Sequence, residues 1–200
     1  MALVEAEGAN DLAIFVDQDE TLLHVTNDKM IGAISRRPNN LVNLVETGDA
    51  IPIPEEIVNK YSLKDHYTHI VVRPYAHEFL SQMQALTPNL FVLTSGGKDF
   101  QIEMLKLAGL LDYFVEVFDR NTTEVPEFKV KILVDDLPDY SIGIASKMKL
   151  LGENSVQIQV PDFHYDLHDD KLLAAAQQVK EIAEAMLGSG PITALDSDQG

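Results

Sequence analysis

The 200-residue chain contains no cysteine and no tryptophan. Without thiols there is no disulfide, no cysteine nucleophile and no thiolate zinc site. Basic residues are scarce as well: 15 Lys and Arg stand against 32 Asp and Glu, a formal net charge of −17. Such a surface favours solubility and repels a phosphate backbone, so a dedicated nucleic-acid binder is disfavoured, although a local basic mouth could still exist. No apolar run approaches the roughly 20 residues that a membrane-spanning helix needs. The acidic first 11 residues lack the basic start and apolar middle of a signal peptide. The expectation is a cytoplasmic protein with no membrane partner.

What is present is a globular composition, 46% apolar and 24% charged, in a length that suits one domain. A single domain is expected over residues 1–188. Residues 189–200, polar and rich in small side chains, read as a flexible tail. Leu12–Val16 is a short apolar run that stops abruptly at Asp17-Gln18-Asp19-Glu20-Thr21, the pattern of a buried parallel strand with a loop at its carboxyl end. Similar runs occur at His69–Val72, Leu90–Leu93 and residues 114–118, 130–134 and 156–160. Helical stripes with a 3.6-residue period lie between them, at Ala76–Leu86 and residues 100–111, 140–151 and 169–187. Strands alternating with such helices predict an α/β fold, an open and mostly parallel three-layer sheet. Residues 27–68 break the alternation and read as an insertion, with residues 41–45 and 50–53 forming a small hairpin around Gly48.

Ligands of open α/β sheets sit beyond the carboxyl ends of the strands. Four polar clusters fall there: Asp17/Asp19/Thr21, Thr94/Ser95/Gly96/Gly97, Asp119/Arg120 and Asp135/Asp136. Phosphoryl transfer needs an in-line nucleophile, a hard cation and a proton for the leaving oxygen. Asp17 can supply the nucleophile and form an aspartyl-phosphate, and Asp19 can supply the proton and later activate water. Asp17, Asp135 and the backbone carbonyl of Asp19 would suffice to hold Mg2+. Thr94 or Ser95 can donate a hydroxyl hydrogen bond to the phosphate, and Gly96 lets backbone amides approach closely.

At these residues the chain resembles the haloacid dehalogenase superfamily. Asp17-Gln18-Asp19-Glu20-Thr21-Leu22-Leu23-His24 is similar to its motif I, DxDxT, in the D-L-D-E-T-L-V-H form of the RNA polymerase II C-terminal-domain phosphatases. Arg73-Pro74-Tyr75-Ala76-His77-Glu78-Phe79-Leu80 resembles the R-P-x-x-x-E-F-L segment of that subgroup. Leu93-Thr94-Ser95 resembles motif II, and Val134-Asp135-Asp136-Leu137-Pro138 resembles the L-D-N-S-P form of motif IV. The resemblance implies a Rossmann-like fold, and the length of the insertion predicts a small hairpin flap and no large cap. It implies Mg2+-dependent phosphatase activity, with Asp17 as nucleophile, Asp19 as general acid/base, Thr94 as phosphate ligand and Asp135 as metal ligand.

Against this pattern the basic residue of motif III is hard to locate. Lys129 is six extended residues from Asp135, about 20 Å at strand rise, at the wrong end of its strand. Arg120 and Lys98, at strand carboxyl ends, are the better candidates, with Arg120 preferred. Arg73 reads equally well as a functional residue or as a structural anchor of the insertion. The expected partner is a phosphorylated substrate, a phosphoprotein in the first place. The alternatives are a nucleotide or polynucleotide-end phosphatase, or a catalytically silent binding module on the same fold.

Overall fold

The computed structural model describes residues 11–26, 50–63, 67–163, 166 and 168–188. Its centre is β1 (Leu12–Val16), whose five residues are all buried. A strand apolar at every position must be covered on both faces, and β1 is. Leu12, Ile14 and Val16 join one apolar cluster, while Ala13 and Phe15 join a second on the opposite face.

The elements that follow are β2 (Leu23–Thr26), β3 (Ala50–Pro52), α1 (Glu55–Lys60), β4 (His69–Val72), α2 (Ala76–Leu86), β5 (Leu90–Leu93) and α3 (Lys98–Leu107). A 3-10 turn at Leu111–Tyr113 then leads into β6 (Glu116–Phe118), β7 (Val130–Asp135), α4 (Ile142–Leu151), β8 (Ser155–Gln159) and α5 (Lys171–Leu187). The main sheet runs β6-β5-β1-β7-β8 and is parallel throughout. Buried residues of α2, α3 and α5 pack on one face, and Ile144 and Leu151 of α4, with Val125 and Phe128 of the loop between β6 and β7, pack on the other. This is the α/β class that the alternation implies, with helices on both sides of the sheet. Among the described residues, no helix is long and apolar enough to cross a membrane.

One expectation changes. The run His69–Val72 reads like the other parallel strands, but β4 is the middle strand of a separate antiparallel sheet, β2-β4-β3. A histidine and three apolar residues carry no record of direction; here only Ile70 and Val71 are fully covered. The hairpin expected around Gly48 falls partly outside the described residues: Ala50–Pro52 is a strand, paired with β4 through Ile51 and Ile70. The main helix within residues 100–111 closes at Gly109, as the glycine at that place predicts. Gly109 enters the left-handed region at φ 69°, and the chain turns there, so Leu110 and Leu111 continue the apolar pattern without continuing the helix.

Arg73 ties the two sheets and the terminal helix together. Its side chain is 1% exposed. Nε and Nη2 donate to Asp169 Oδ2 at 3.1 and 2.8 Å, Nη2 donates to the Pro161 carbonyl at 2.8 Å, and Nη1 donates to the Glu20 and Thr21 carbonyls at 3.4 and 3.3 Å. Of the two readings of Arg73, the structure supports the anchor. Removing one partner of a buried ion pair strands the other, at about 3–5 kcal/mol. Arg73→Ala should lose stability of that size in denaturant unfolding, and Arg73→Lys should not recover it, because a single ammonium cannot span four acceptor atoms.

Candidate active site

Strand β1 lies between β5 and β7, so the chain order reverses across it, and the crevice at such a point is where open α/β sheets bind ligands. Side chains alternate along a strand. Ala13 and Phe15 face α4, and Asp17 continues their parity. Leu133 faces the same way on β7, and Asp135 continues its parity. Val16 pairs with Val134, and Asp17 N–H donates to the Val134 carbonyl at 2.8 Å, so the two aspartates emerge side by side.

The group that meets them is Lys147, which the sequence reading did not single out. Its Nζ is 2.5 Å from Asp17 Oδ1 and 2.5 Å from Asp135 Oδ2. All three side chains are buried. Burial works against the ammonium, but the two carboxylates outweigh it and hold the Lys147 pKa above its ordinary value. Burial drives the Asp17 carboxyl well above the ordinary range; Lys147 opposes that shift, and the neighbouring Asp135 reinforces it. A signal for Lys147 did exist in the sequence. Ile144, Lys147 and Leu151 form the buried stripe of α4, and a lysine in an apolar stripe needs a buried anion.

Asp136 completes an acidic group. One oxygen from each of Asp17, Asp135 and Asp136 lies within 4.8 Å of the others. Asp136 Oδ1 accepts from Thr21 Oγ1 at 3.1 Å, and Asp135 Oδ1 accepts from the Leu137 amide at 2.9 Å. An all-oxygen donor set suits a hard cation. The electrostatics fit as well: Asp17, Asp135 and Asp136 outnumber the Lys147 ammonium, the one that touches the cluster among the described residues.

Asp19 turns elsewhere. Its Oδ2 accepts from Gln101 Nε2 at 2.7 Å, and its carboxylate is not a member of the three-carboxylate group. Burial raises its pKa, and the Gln101 hydrogen bond opposes that. The loop that carries it is compact: Glu20 has φ 63°, Leu22 N–H donates to the Gln18 carbonyl at 2.9 Å, and Phe163 N–H donates to the Glu20 carbonyl at 2.9 Å. Thr94 is buried at the end of β5, and its Oγ1 accepts from Gly96 N–H at 3.0 Å, which leaves the hydroxyl proton available for a ligand. Ser95 is exposed. A Cβ on Gly96 would lie 2.1 Å from Gln101 Nε2, so the space beside this glycine belongs to Gln101.

The basic residues preferred from the sequence are not brought to the acids. Lys98 Nζ donates to Glu116 at 3.0 Å, at the sheet edge. Arg120 is exposed in the turn after β6, two strands from β1 and hence about 10 Å across the sheet. Lys129 lies 3.9 Å from Asp11, at the amino end of the sheet.

Paired acids at the switch point of such a sheet are the arrangement of the haloacid dehalogenase fold. The model of the NLI interacting factor-like phosphatases matches residues 12–187, and the chain belongs to that family. A haloacid dehalogenase-like hydrolase from Xanthomonas campestris shares the fold at 13% identity and TM-score 0.51, over 88% of this chain and 97% of that one. A hydrolase of the same superfamily from Ehrlichia chaffeensis does so at 11% identity and TM-score 0.50, over 85% and 96%. The fission yeast RNA polymerase II CTD phosphatase Fcp1 is similar at 18% identity and TM-score 0.49, over 89% of this chain and 51% of its own, so this chain spans about half of that phosphatase. Among curated proteins there is no significant match.

The Asp136 carboxyl is raised from 3.8 to about 6, first by burial and then by Asp135, with the Thr21 hydrogen bond opposing. An acid raised in the folded state stabilises the fold fully below about pH 4, and that contribution is lost as pH rises through about 6. A cation needs the ionised form, so its affinity runs the other way. Mg2+ should raise the melting temperature more at about pH 7.5 than at about pH 5, and binding near the lower pH should release protons measurable by calorimetry.

Proposed function

We propose that this protein is a Mg2+-dependent phosphomonoester hydrolase that works through an aspartyl-phosphate on Asp17. The observation that carries the reading is the close approach of Asp17 and Asp135 at adjacent strand ends, with Lys147 between them. When bound, Mg2+ would be held by Asp17, Asp135 and Asp136, with the Asp19 carbonyl as a further ligand, and would offset the charge of the phosphate.

In the first step an Asp17 oxygen forms a bond to phosphorus while the bond to the ester oxygen breaks. Asp19, protonated, gives its proton to that departing oxygen. In the second step Asp19, now ionised, takes a proton from water, whose oxygen bonds to phosphorus as the Asp17–phosphorus bond breaks. Inorganic phosphate leaves, and both aspartates return to their starting states. Lys147 holds Asp17 in place and offsets charge at the phosphoryl group, and the Thr94 hydroxyl, with Ser95 and the Gly96 backbone beside it, orients the phosphoryl oxygens.

The substrate class we infer is a phosphoprotein. It rests on the motif I and Arg73–Leu80 resemblance and on the net charge of −17, which repels a polyanionic strand. Asp17→Asn should lower kcat on a generic phosphomonoester by about 10⁴-fold or more, as removal of a nucleophile does. Lys147→Met should cost about 10²–10³-fold, more than Arg120→Ala. A phosphoserine peptide should be turned over faster than a 5′-phosphorylated oligonucleotide. Full activity in well-purified Asp17→Asn would refute the nucleophile assignment, and faster turnover of the oligonucleotide would refute the substrate class.

A further inference from the structure

We propose that Gln101 is a positioning residue for Asp19, fixing which oxygen of the acid carries the proton delivered to the leaving group. The proposal rests on the reading of Asp19 as general acid and adds to it a residue outside the four polar clusters at the strand ends.

Three observations converge on Gln101. It lies in the first turn of α3, immediately beyond the loop that carries Thr94, and is 2% exposed. Its Nε2 donates to Asp19 Oδ2 at 2.7 Å, while its own Oε1 is buried and meets no partner among the described residues. Leaving an amide carbonyl unpaired inside a protein is costly, and the compensating contact here is the one to Asp19. Third, Gly96 is kept free of a side chain where the amide passes: a Cβ there would sit 2.1 Å from Nε2, 2.9 Å from Cδ and 3.0 Å from Cγ of Gln101. A distance under 3.0 Å forces something to move, and Gln101 cannot move without releasing Asp19.

The chemical consequence concerns the proton. An amide N–H only donates. In a neutral carboxyl group the carbonyl oxygen is the better acceptor, so an N–H on Oδ2 makes Oδ2 the carbonyl and seats the proton on Oδ1. As the ester bond breaks, the Oδ1–H bond breaks with it and the proton bonds to the departing oxygen. The carboxylate that remains keeps its hydrogen bond at Oδ2 and accepts the next proton, from water, at Oδ1. Without Gln101 the proton could rest on either oxygen, and the carboxyl group could rotate.

A positioning role has a signature that a packing role lacks. An ester with an alkyl leaving group needs the proton, whereas p-nitrophenyl phosphate releases a stable anion and needs it less. The parameter to compare is kcat/KM, which covers events up to the first phosphoryl transfer. In Gln101→Met, kcat/KM should fall for both esters, and the alkyl-to-aryl ratio should fall by about tenfold or more, part of the 10²–10⁴-fold that a general acid supplies. Gly96→Ala, which crowds the amide from outside, should shift the same ratio in the same direction. In a Gln101→Ala background the Gly96→Ala change should shift it no further, since the group it displaces is gone.

An unchanged ratio in Gln101→Met, with both esters slowed equally, would overturn the proposal. If that variant does not fold, an unchanged ratio in Gly96→Ala, or equal further loss in the double variant, would do so. Asp17→Asn separates this from the wider reading. If Asp17→Asn is inactive on both esters while the Gln101 ratio stays put, only the role of Gln101 fails; full activity in Asp17→Asn removes the reading beneath it.

Discussion

One ammonium group holds the site together. Lys147 lies between Asp17 and Asp135, two carboxylates that strand geometry forces into proximity. Parallel strands in register put their terminal side chains about 4.8 Å apart across the sheet, too close for two buried anions to coexist unaided. A buried charge is tolerated when it is paired. Lys147 pairs with both acids at once, and it can because α4 crosses the face toward which both point. The rest of α4 is built for that crossing. Ser141 Oγ caps it by accepting from Ile144 N–H at 3.0 Å, and Ile144 and Leu151 lock it onto the sheet on either side of the lysine.

A second set of contacts fixes the loop that holds Asp17 and Asp19. Between them sits Gln18, fully buried, with neither polar atom of its amide partnered among the described residues. Glu20 adopts a left-handed backbone, which costs a non-glycine residue about 1–3 kcal/mol. A loop with two such costs would relax if it were free. It is not free, because Arg73 and the Phe163 amide both bind carbonyls within it, and Asp169 anchors Arg73 from the far side. The small antiparallel sheet therefore does more than carry the insertion: β4 delivers Arg73 to the underside of the loop.

Much of this was legible in the sequence, and the remainder was not for identifiable reasons. Strands β1 and β5 and helix α2 are read to the residue, because each is a short apolar run or clean stripe bounded by polar residues. The acids at the strand ends follow from the same pattern. Strand β4 was misplaced because direction and sheet membership are set by partners far along the chain. Lys147 is not among the basic residues at strand ends, where the acids are. The lysine instead approaches from a helix, twelve residues past Asp135, and only the pairing of helix face with strand parity brings it there. Gln101 is less visible still: a lone glutamine in the first turn of a helix carries no periodic or charge signal.

The charge of the site also limits the order in which it can be filled. Lys147 already faces two carboxylates, and Asp136 adds a third beside them. The proposed substrate, a phosphate monoester, would bring up to two more negative charges near neutral pH into a protein whose net charge is −17. At an effective dielectric of about 20, two like charges about 4 Å apart repel by about 4 kcal/mol, and several such pairs would form at once. The acids alone therefore repel the substrate that their arrangement suits, and the single ammonium cannot reverse the sign. For that substrate the site would need further positive charge before the phosphate arrived, and three carboxylate oxygens within 4.8 Å of one another are where a divalent cation would supply it.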